Sequence, residues 1–344
     1  MVHEARLPEG QAGLVREGTG AEASEARKPR RDGDLTLRSP PPTMLTAIPP
    51  APKDTPRNTA RVHLRFEDVT QEGRLVLEAL PNALGPTIWR GILAHDPSSS
   101  ATFAAGIVPI LSRFVLEGAP GPFSANVPVE AEGTCQLARA DDGRFMLDMW
   151  ADLYGPIGRT YGSTERAGER ALAGRVLAEH VLTRPFAPPG ERRVTSLDFP
   201  GAPKVTATRP PPPAYDVIAS VPEGATPLEA SKGVDAMPIT FGLMHTDSNH
   251  HVNSLVYLRV FEEAALRRFV ALGRGATLLG RTLDIAYRKP CFAGQTMRVV
   301  QQAFEWEGRL GIAAVLVEES EAKNEETLAK AKPHAYVRMT FEGP

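Results

Sequence analysis

The sequence predicts an α+β fold in which one small unit, an antiparallel sheet wrapped around a central helix, is built twice in tandem. Three observations lead there. Proline gathers in two stretches that divide the chain, alternating apolar and polar residues mark strands on both sides of the second stretch, and one helix-like segment accompanies each set of strands.

The chain has 344 residues, of which 32 are proline, about 9% against a usual ~5%. Residues 1–58 hold nine of these and residues 185–228 hold eleven. Residues 1–58 mix charge with Pro40-Pro41-Pro42 and Pro49-Pro50, and read as a disordered tail. Residues 185–228, with Pro210 to Pro213 unbroken, read as a semi-rigid linker. The two units are then 59–184 and 229–344.

In the first unit, Val62, Leu64 and Phe66 alternate with Arg61, His63 and Arg65, and Leu75, Leu77 and Ala79 alternate with Arg74, Val76 and Glu78. Both runs suggest short strands. Ser98-Ser99-Ser100 offers helix caps, and ATFAAGIVPILSRFVLEG (101–118) reads as the unit's helix, kinked at Pro109. A strand over Val127 to Leu137 turns at Asp141-Asp142-Gly143 into a return strand over Phe145 to Leu153, and another follows near Leu172 to Leu182.

The second unit repeats the order about 155 residues later, without a repeat of sequence. A helix over Leu255 to Leu272 closes at Gly273, with Leu258, Phe261, Ala265 and Phe269 as its apolar stripe. Strands follow at Arg281 to Arg288, Gln295 to Trp306, Leu310 to Val317 (after a Glu307-Gly308 turn) and Ala335 to Phe341.

Composition narrows the function. A net charge of -2 gives no electrostatic case for nucleic acid. No run approaches the ~20 apolar residues of a membrane span. The opening residues have no apolar core of a secretory signal, so a cytoplasmic protein is expected. Two cysteines, Cys135 and Cys291, make neither a disulfide framework nor a cysteine-rich metal site. A small-molecule or protein partner remains.

Three of eight histidines, His245, His250 and His251, fall within seven residues just before the second helix, with Asp247, Asn249 and Asn253 among them. Helix N-termini collect unpaired N–H groups and the positive end of the dipole, which suits a carbonyl oxygen becoming an oxyanion. Asp247, Asn249, Asn253 and Ser254 are also good capping residues, and each alone could be only that. A metal held by His245, Asp247 and His250 or His251 is conceivable in composition, but the spacing matches no metal signature. Arg259, Glu263 and Arg267 are spaced as surface ion pairs, which weighs against Glu262 or Glu263 as a base.

The run from Asp247 to Asn253, with Tyr257 four residues on, resembles the D-x-N-x-H-V-N-N-x-x-Y motif of acyl-ACP thioesterases, which are double-hotdog enzymes. Ala286-Tyr287-Arg288-Lys289-Pro290-Cys291 resembles that family's E-Y-R-R-E-C segment, with Pro290 where the pattern has glutamate. Acyl-CoA thioesterases share a looser form of the motif. The resemblance spans about 100 residues, from Phe241 to near the C-terminus. It implies a thioester hydrolase with Asp247, Asn249, His251 and Cys291 as catalytic residues. Asn253, Tyr257 and Arg288 would bind substrate. No cofactor or metal is needed. The substrate would be an acyl-CoA or acyl carrier protein thioester, and the chain an internal pseudo-dimer, alone or in a homo-oligomer. His251 would serve as general base, since imidazoles titrate near neutral pH. His95-Asp96 is expected to be the matching, degenerate place in the first unit, with Ile107, Val108 and Leu111 lining the acyl pocket. Rival readings are a hotdog hydratase or dehydratase, or a non-catalytic acyl-thioester-binding scaffold.

Overall fold

The structure, a computed structural model, describes residues 47–343. The first unit contributes β1 (Arg57–Val62), α1 (Pro97–Ala104), β2 (Val108–Gly118), β3 (Val129–Ala140), β4 (Phe145–Pro156) and β5 (Arg170–Thr183). The Pro-rich stretch carries β6 (Ala207–Arg209), α2 (Tyr215–Ile218) and β7 (Thr226–Pro227). The second unit has β8 (Gly233–Val234), β9 (Ile239–Thr240), α3 (Ser254–Ala271), β10 (Leu279–Tyr287), β11 (Thr296–Trp306), β12 (Arg309–Glu318), α4 (Glu325–Ala329) and β13 (Ala335–Glu342).

One sheet runs through both units in the order β1-β3-β4-β5-β2-β10-β13-β12-β11-β7. The halves mirror each other about the antiparallel β2–β10 pair, where Asp284 lies opposite Val115 and Ala286 opposite Arg113. Alternation along each strand sends one set of side chains into the main core, with α3. The hairpin at Asp141 to Gly143 forms as expected, Gly143 taking φ 85°. Glu307 (φ 48°) and Gly308 (φ 74°) make the β11–β12 turn, a backbone that twists with the strands. On α3, Leu258, Phe261, Ala265 and Phe269 are buried, and Asn253 caps its start by accepting the Leu255 N–H at 2.9 Å.

The first unit's centre differs from expectation. The helix expected at 101–118 is two elements. Gly106 at φ 70° ends the short α1, and 108–118 is strand β2. Pro109 lies at the start of that strand, where a missing N–H is tolerated, and does not kink a helix. The strand expected at Arg74 to Ala79 is absent. Leu77–Ala83 forms 3-10 turns, followed by a π-helical turn at Gly85–Trp89, and this segment fills the place that α3 fills in the second unit. Pro81 and Pro86 lack N–H donors, which prevents a regular α-helix. Glycines let the segment lie close to the sheet. A Cβ on Gly174 would fall 2.5 Å from Leu80, and one on Gly133 2.4 Å from Thr87.

The Pro-rich stretches also depart from a plain tail and linker. Residues 1–46 lie outside the described residues. From there Ile48 and Ala51 pack on Val115, Trp150 and Leu177, on the sheet face opposite the main core, and Trp150 Nε1 donates to Pro49 O at 3.0 Å. Strand β1 begins at Arg57, inside the expected tail, and β7 pairs with β11 inside the expected linker. Extended proline-rich chain leaves its carbonyls free to accept, and the sheet's outward donors use them. Ile107, expected at an acyl pocket, packs in a separate cluster with Phe145, Leu182 and Val194.

His180 on β5 is 6% exposed, its ring edge-on to Trp89 at 5.6 Å. Burial lowers its pKa from 6.5 to about 4. The folded state therefore holds it neutral while the unfolded chain protonates near pH 6.5, so its contribution is intact above that pH and lost as pH falls through about 4. The shift corresponds to about 3 kcal/mol. Asp148, pushed up to about 6 by burial, acts in the opposite sense over the same range. The expected result is thus a difference: urea denaturation between pH 7 and 4 should give a flatter stability loss for His180→Gln than for wild type. Parallel curves would show that His180 titrates alike in both states.

Candidate active site

The motif residues form one tight loop closed by a bridge between Thr246 and Val252. Asp247 N donates to His251 O at 3.2 Å, and His250 N to Asp247 O at 3.0 Å. His250 sits at φ 63°, the left-handed region, and faces solvent. The Asp247 carboxylate accepts from Asn249 N at 2.8 Å and from Asn253 Nδ2 at 3.1 Å. Since Asn253 also caps α3, the carboxylate is tied to the helix start. His251 is half-buried, with Nδ1 3.2 Å from Val252 O. The Asn249 side chain is exposed. Asp247, His251, Asn253 and the start of α3 are therefore brought together.

Cys291 is drawn in by its main chain. Val252 N donates to Cys291 O at 2.8 Å, and Cys291 N donates to Tyr257 Oη at 2.9 Å. Its thiol, 0% exposed, turns toward His334 Nδ1 at 3.2 Å. This hydrogen bond of the thiol is thus to His334 and not to a side chain of the loop. Burial also pushes the thiol up to about 11, far from a thiolate at neutral pH. Burial raises Tyr257 above the usual phenol range, so it acts as a neutral hydroxyl. Arg288 is exposed and donates to Tyr336 Oη at 3.2 Å, with no described contact to the loop. His245 accepts Gly242 N on Nδ1 at 2.9 Å, a turn-capping role. Glu262 accepts Gly280 N at 2.9 Å, and burial raises its pKa.

The counterpart of this loop is Val69–Leu75 rather than His95-Asp96, where Asp96 simply caps α1. Positions 177 residues apart correspond (69 to 246, 75 to 252). Thr70 N donates to Arg74 O, and Gly73 N to Thr70 O, each at 2.9 Å. Val76 N donates to Asp68 O as Asn253 N does to His245 O, and Gly73 takes φ 80° where His250 takes 63°. Thr70, Glu72 and Arg74 stand where the second loop has Asp247, Asn249 and His251. Arg74 donates to Glu342 O and Gly343 O, both at 3.2 Å, which closes this copy with a guanidinium.

Spacing alone did not reveal His334, 43 residues beyond Cys291, because nothing in Lys332-Pro333-His334 marks it. Among the described residues, no group of three or more His, Cys, Asp or Glu could hold a metal, and no helix is long and apolar enough to cross a membrane. Two surface cavities of about 690 and 610 Å³ lie elsewhere, at Thr59 to Arg61 with Arg170 and at Val234 to Ala236 with Arg298.

No protein-family description and no curated protein sequence matches this chain. Solved structures do. One is described as a candidate oleoyl thioesterase from Lactobacillus plantarum, with TM-score 0.54, 12% identity, 85% of this chain and 96% of that one covered. Another is an acyl-ACP thioesterase from Bacteroides thetaiotaomicron, with TM-score 0.52, 13% identity, and 83% and 98% covered. With its mirrored half-sheets, each wrapped on a central helical segment, the chain has the double-hotdog fold.

Proposed function

We propose that this chain hydrolyses acyl thioesters of coenzyme A or of an acyl carrier protein to the free acid, at one site per chain around residues 246–254. One observation carries the reading. The Val69–Leu75 loop closes with the same main-chain bonds but with Thr70, Glu72 and Arg74, so the turn itself does not require Asp247, Asn249 and His251. Capping alone therefore leaves their presence in the second copy unexplained, and chemistry accounts for it.

In this reading His251 is the general base. Val252 O can only accept, so Nδ1 carries the proton and Nε2 keeps its lone pair for water. Nε2 takes a proton as the water oxygen attacks the thioester carbon. The carbonyl oxygen becomes an oxyanion beside the first amides of α3, whose partial positive charge stabilises it. The C–S bond then breaks and the leaving thiolate recovers the proton. Asp247 holds the loop to Asn253 and thus to the helix start, while Asn249 presents an exposed amide to substrate. Arg288 and Lys289 suit a phosphate of the carrier. Cys291 forms no bond to substrate.

A panel of short and long acyl-CoA and acyl-ACP substrates, with free thiol followed by a chromogenic reagent, tests this. Thiol release from some member is expected. Asp247→Asn loses an acceptor for Asn253 Nδ2 and should lower kcat on the order of 10²-fold through misplacement of the loop. No thiol above background across the panel ends the reading. Water addition to enoyl-CoA in its place would favour a hydratase. Acyl-CoA binding without turnover, unchanged by His251→Ala, would favour a binding protein.

A further inference from the structure

We infer that His334 is a positioning residue for the Asp247–Asn253 loop, acting through the Pro290-Cys291 peptide; the inference rests on the hydrolase reading for its kinetic consequence but not for its structural one. His334 is buried just before β13, and its main chain ties three strand ends together. Its N–H donates to Leu316 O at 2.8 Å, and its carbonyl accepts Arg288 N at 2.8 Å and Lys289 N at 3.2 Å. Its ring meets Pro290 O at 3.0 Å and Cys291 Sγ at 3.2 Å, both through Nδ1.

The protonation state follows from the partners. Pro290 O can only accept, so Nδ1 carries a proton and is shared between that carbonyl and the sulfur. Burial and the charge of Lys289 both lower the pKa of His334, against the opposing pull of Glu318 and Glu321, which favours the neutral ring. Nε2 is then a bare acceptor. It has no hydrogen-bond partner among the described residues and lies 3.6 Å from Glu318 Oε1. One edge of the imidazole thus does the holding, and that edge grips the Pro290–Cys291 peptide and the Cys291 sulfur; the carbonyl of the same Cys291, on the following peptide, receives Val252 N at 2.8 Å. Val252 in turn supplies the carbonyl that orients His251. A shift at Cys291 is passed to the His251 ring through two hydrogen bonds, and small displacements of a base cost rate steeply. The position of Cys291 next to the loop is explained in this way without any reactivity of its thiol.

The test compares His334→Ala, His334→Asn and His334→Gln. An asparagine amide reaches about where Nδ1 stood, and a glutamine amide about where Nε2 stood. His334→Ala is expected to lower kcat on the order of tenfold at unchanged KM, and to speed hydrogen exchange at the Val252 amide. His334→Asn should restore both and His334→Gln neither. Equal behaviour of the Asn and Gln variants, or unaltered Val252 exchange in the alanine variant, overturns the inference. Should wild type release no thiol, the exchange measurement still decides the positioning role, and only the hydrolase reading falls.

Discussion

His251→Ala is expected to lower kcat for thiol release by roughly 10²- to 10⁴-fold while KM changes little, because a general base acts on the water in the transition state and not on the bound ester. The loop should survive the change. Its closing bonds are main-chain bonds, Asp247 N to His251 O and His250 N to Asp247 O, and the Val69–Leu75 copy closes the same way with Arg74 at the matching position. His250→Gly is the control. His250 is exposed and already in the left-handed region that glycine adopts freely, so rates should stay within about twofold. Initial rates of thiol release over a range of substrate concentrations separate the two parameters. A His251→Ala protein that folds and turns over at near wild-type kcat removes the imidazole from the chemistry and leaves Asp247 as the remaining base.

What the sequence revealed of the fold depended on whether periodicity matched a single geometry. From Leu279 to Glu342 the strands are apolar-rich runs of strand length, buried along most of β10 and β12 and more nearly alternating in β11 and β13, with Pro290 after β10 and Gly308 after β11, so their positions could be read. The Leu75, Leu77, Ala79 alternation imitated a strand, yet that segment is buried on most sides as irregular helix, where period carries little information. Pro109 was compatible with a kinked helix or a strand start, and only the partner strands β5 and β10 decide between them.

The candidate site was legible where its residues are contiguous, from Asp247 to Asn253, and was hidden where contact is made through space. His334 reaches Cys291 across 43 residues. The duplicate loop was hidden for another reason. What the two copies share is backbone geometry, a left-handed residue and a set of main-chain bonds, while their side chains differ at every position of 69–75 and 246–252.

The second large effect belongs to the other face of the sheet. Arg113 on β2 makes a two-point contact with Asp284 on β10, at 2.7 and 2.9 Å, and reaches Glu179 on β5 at 3.3 Å. Arg113 is 7% exposed, and Glu179 and Asp284 are 3% each. Arg209 of the Pro-rich segment closes the group from above, pairing with Asp148 and, at 2.7 Å, with Glu179. Arg338 on β13 holds the same segment further along, donating to Val217 O and Ile218 O. The cluster spans the junction of the two units and binds the strap that connects them.

Arg113→Met should therefore destabilise the protein by about 3–5 kcal/mol, since it leaves two carboxylates buried with reduced compensation. In a thermal scan this is a Tm lower by on the order of 10 °C. The double variant Arg113→Met with Asp284→Leu should regain much of that loss, because the attraction and the desolvation of the pair disappear together. Glu179 keeps Arg209, so it is not orphaned in either variant. If Arg113→Met melts with the wild type, the cluster is solvated enough in solution to do without its central cation. If instead both single and double variants fall equally, the guanidinium stem matters through its packing between β2 and β10 and not through its charge.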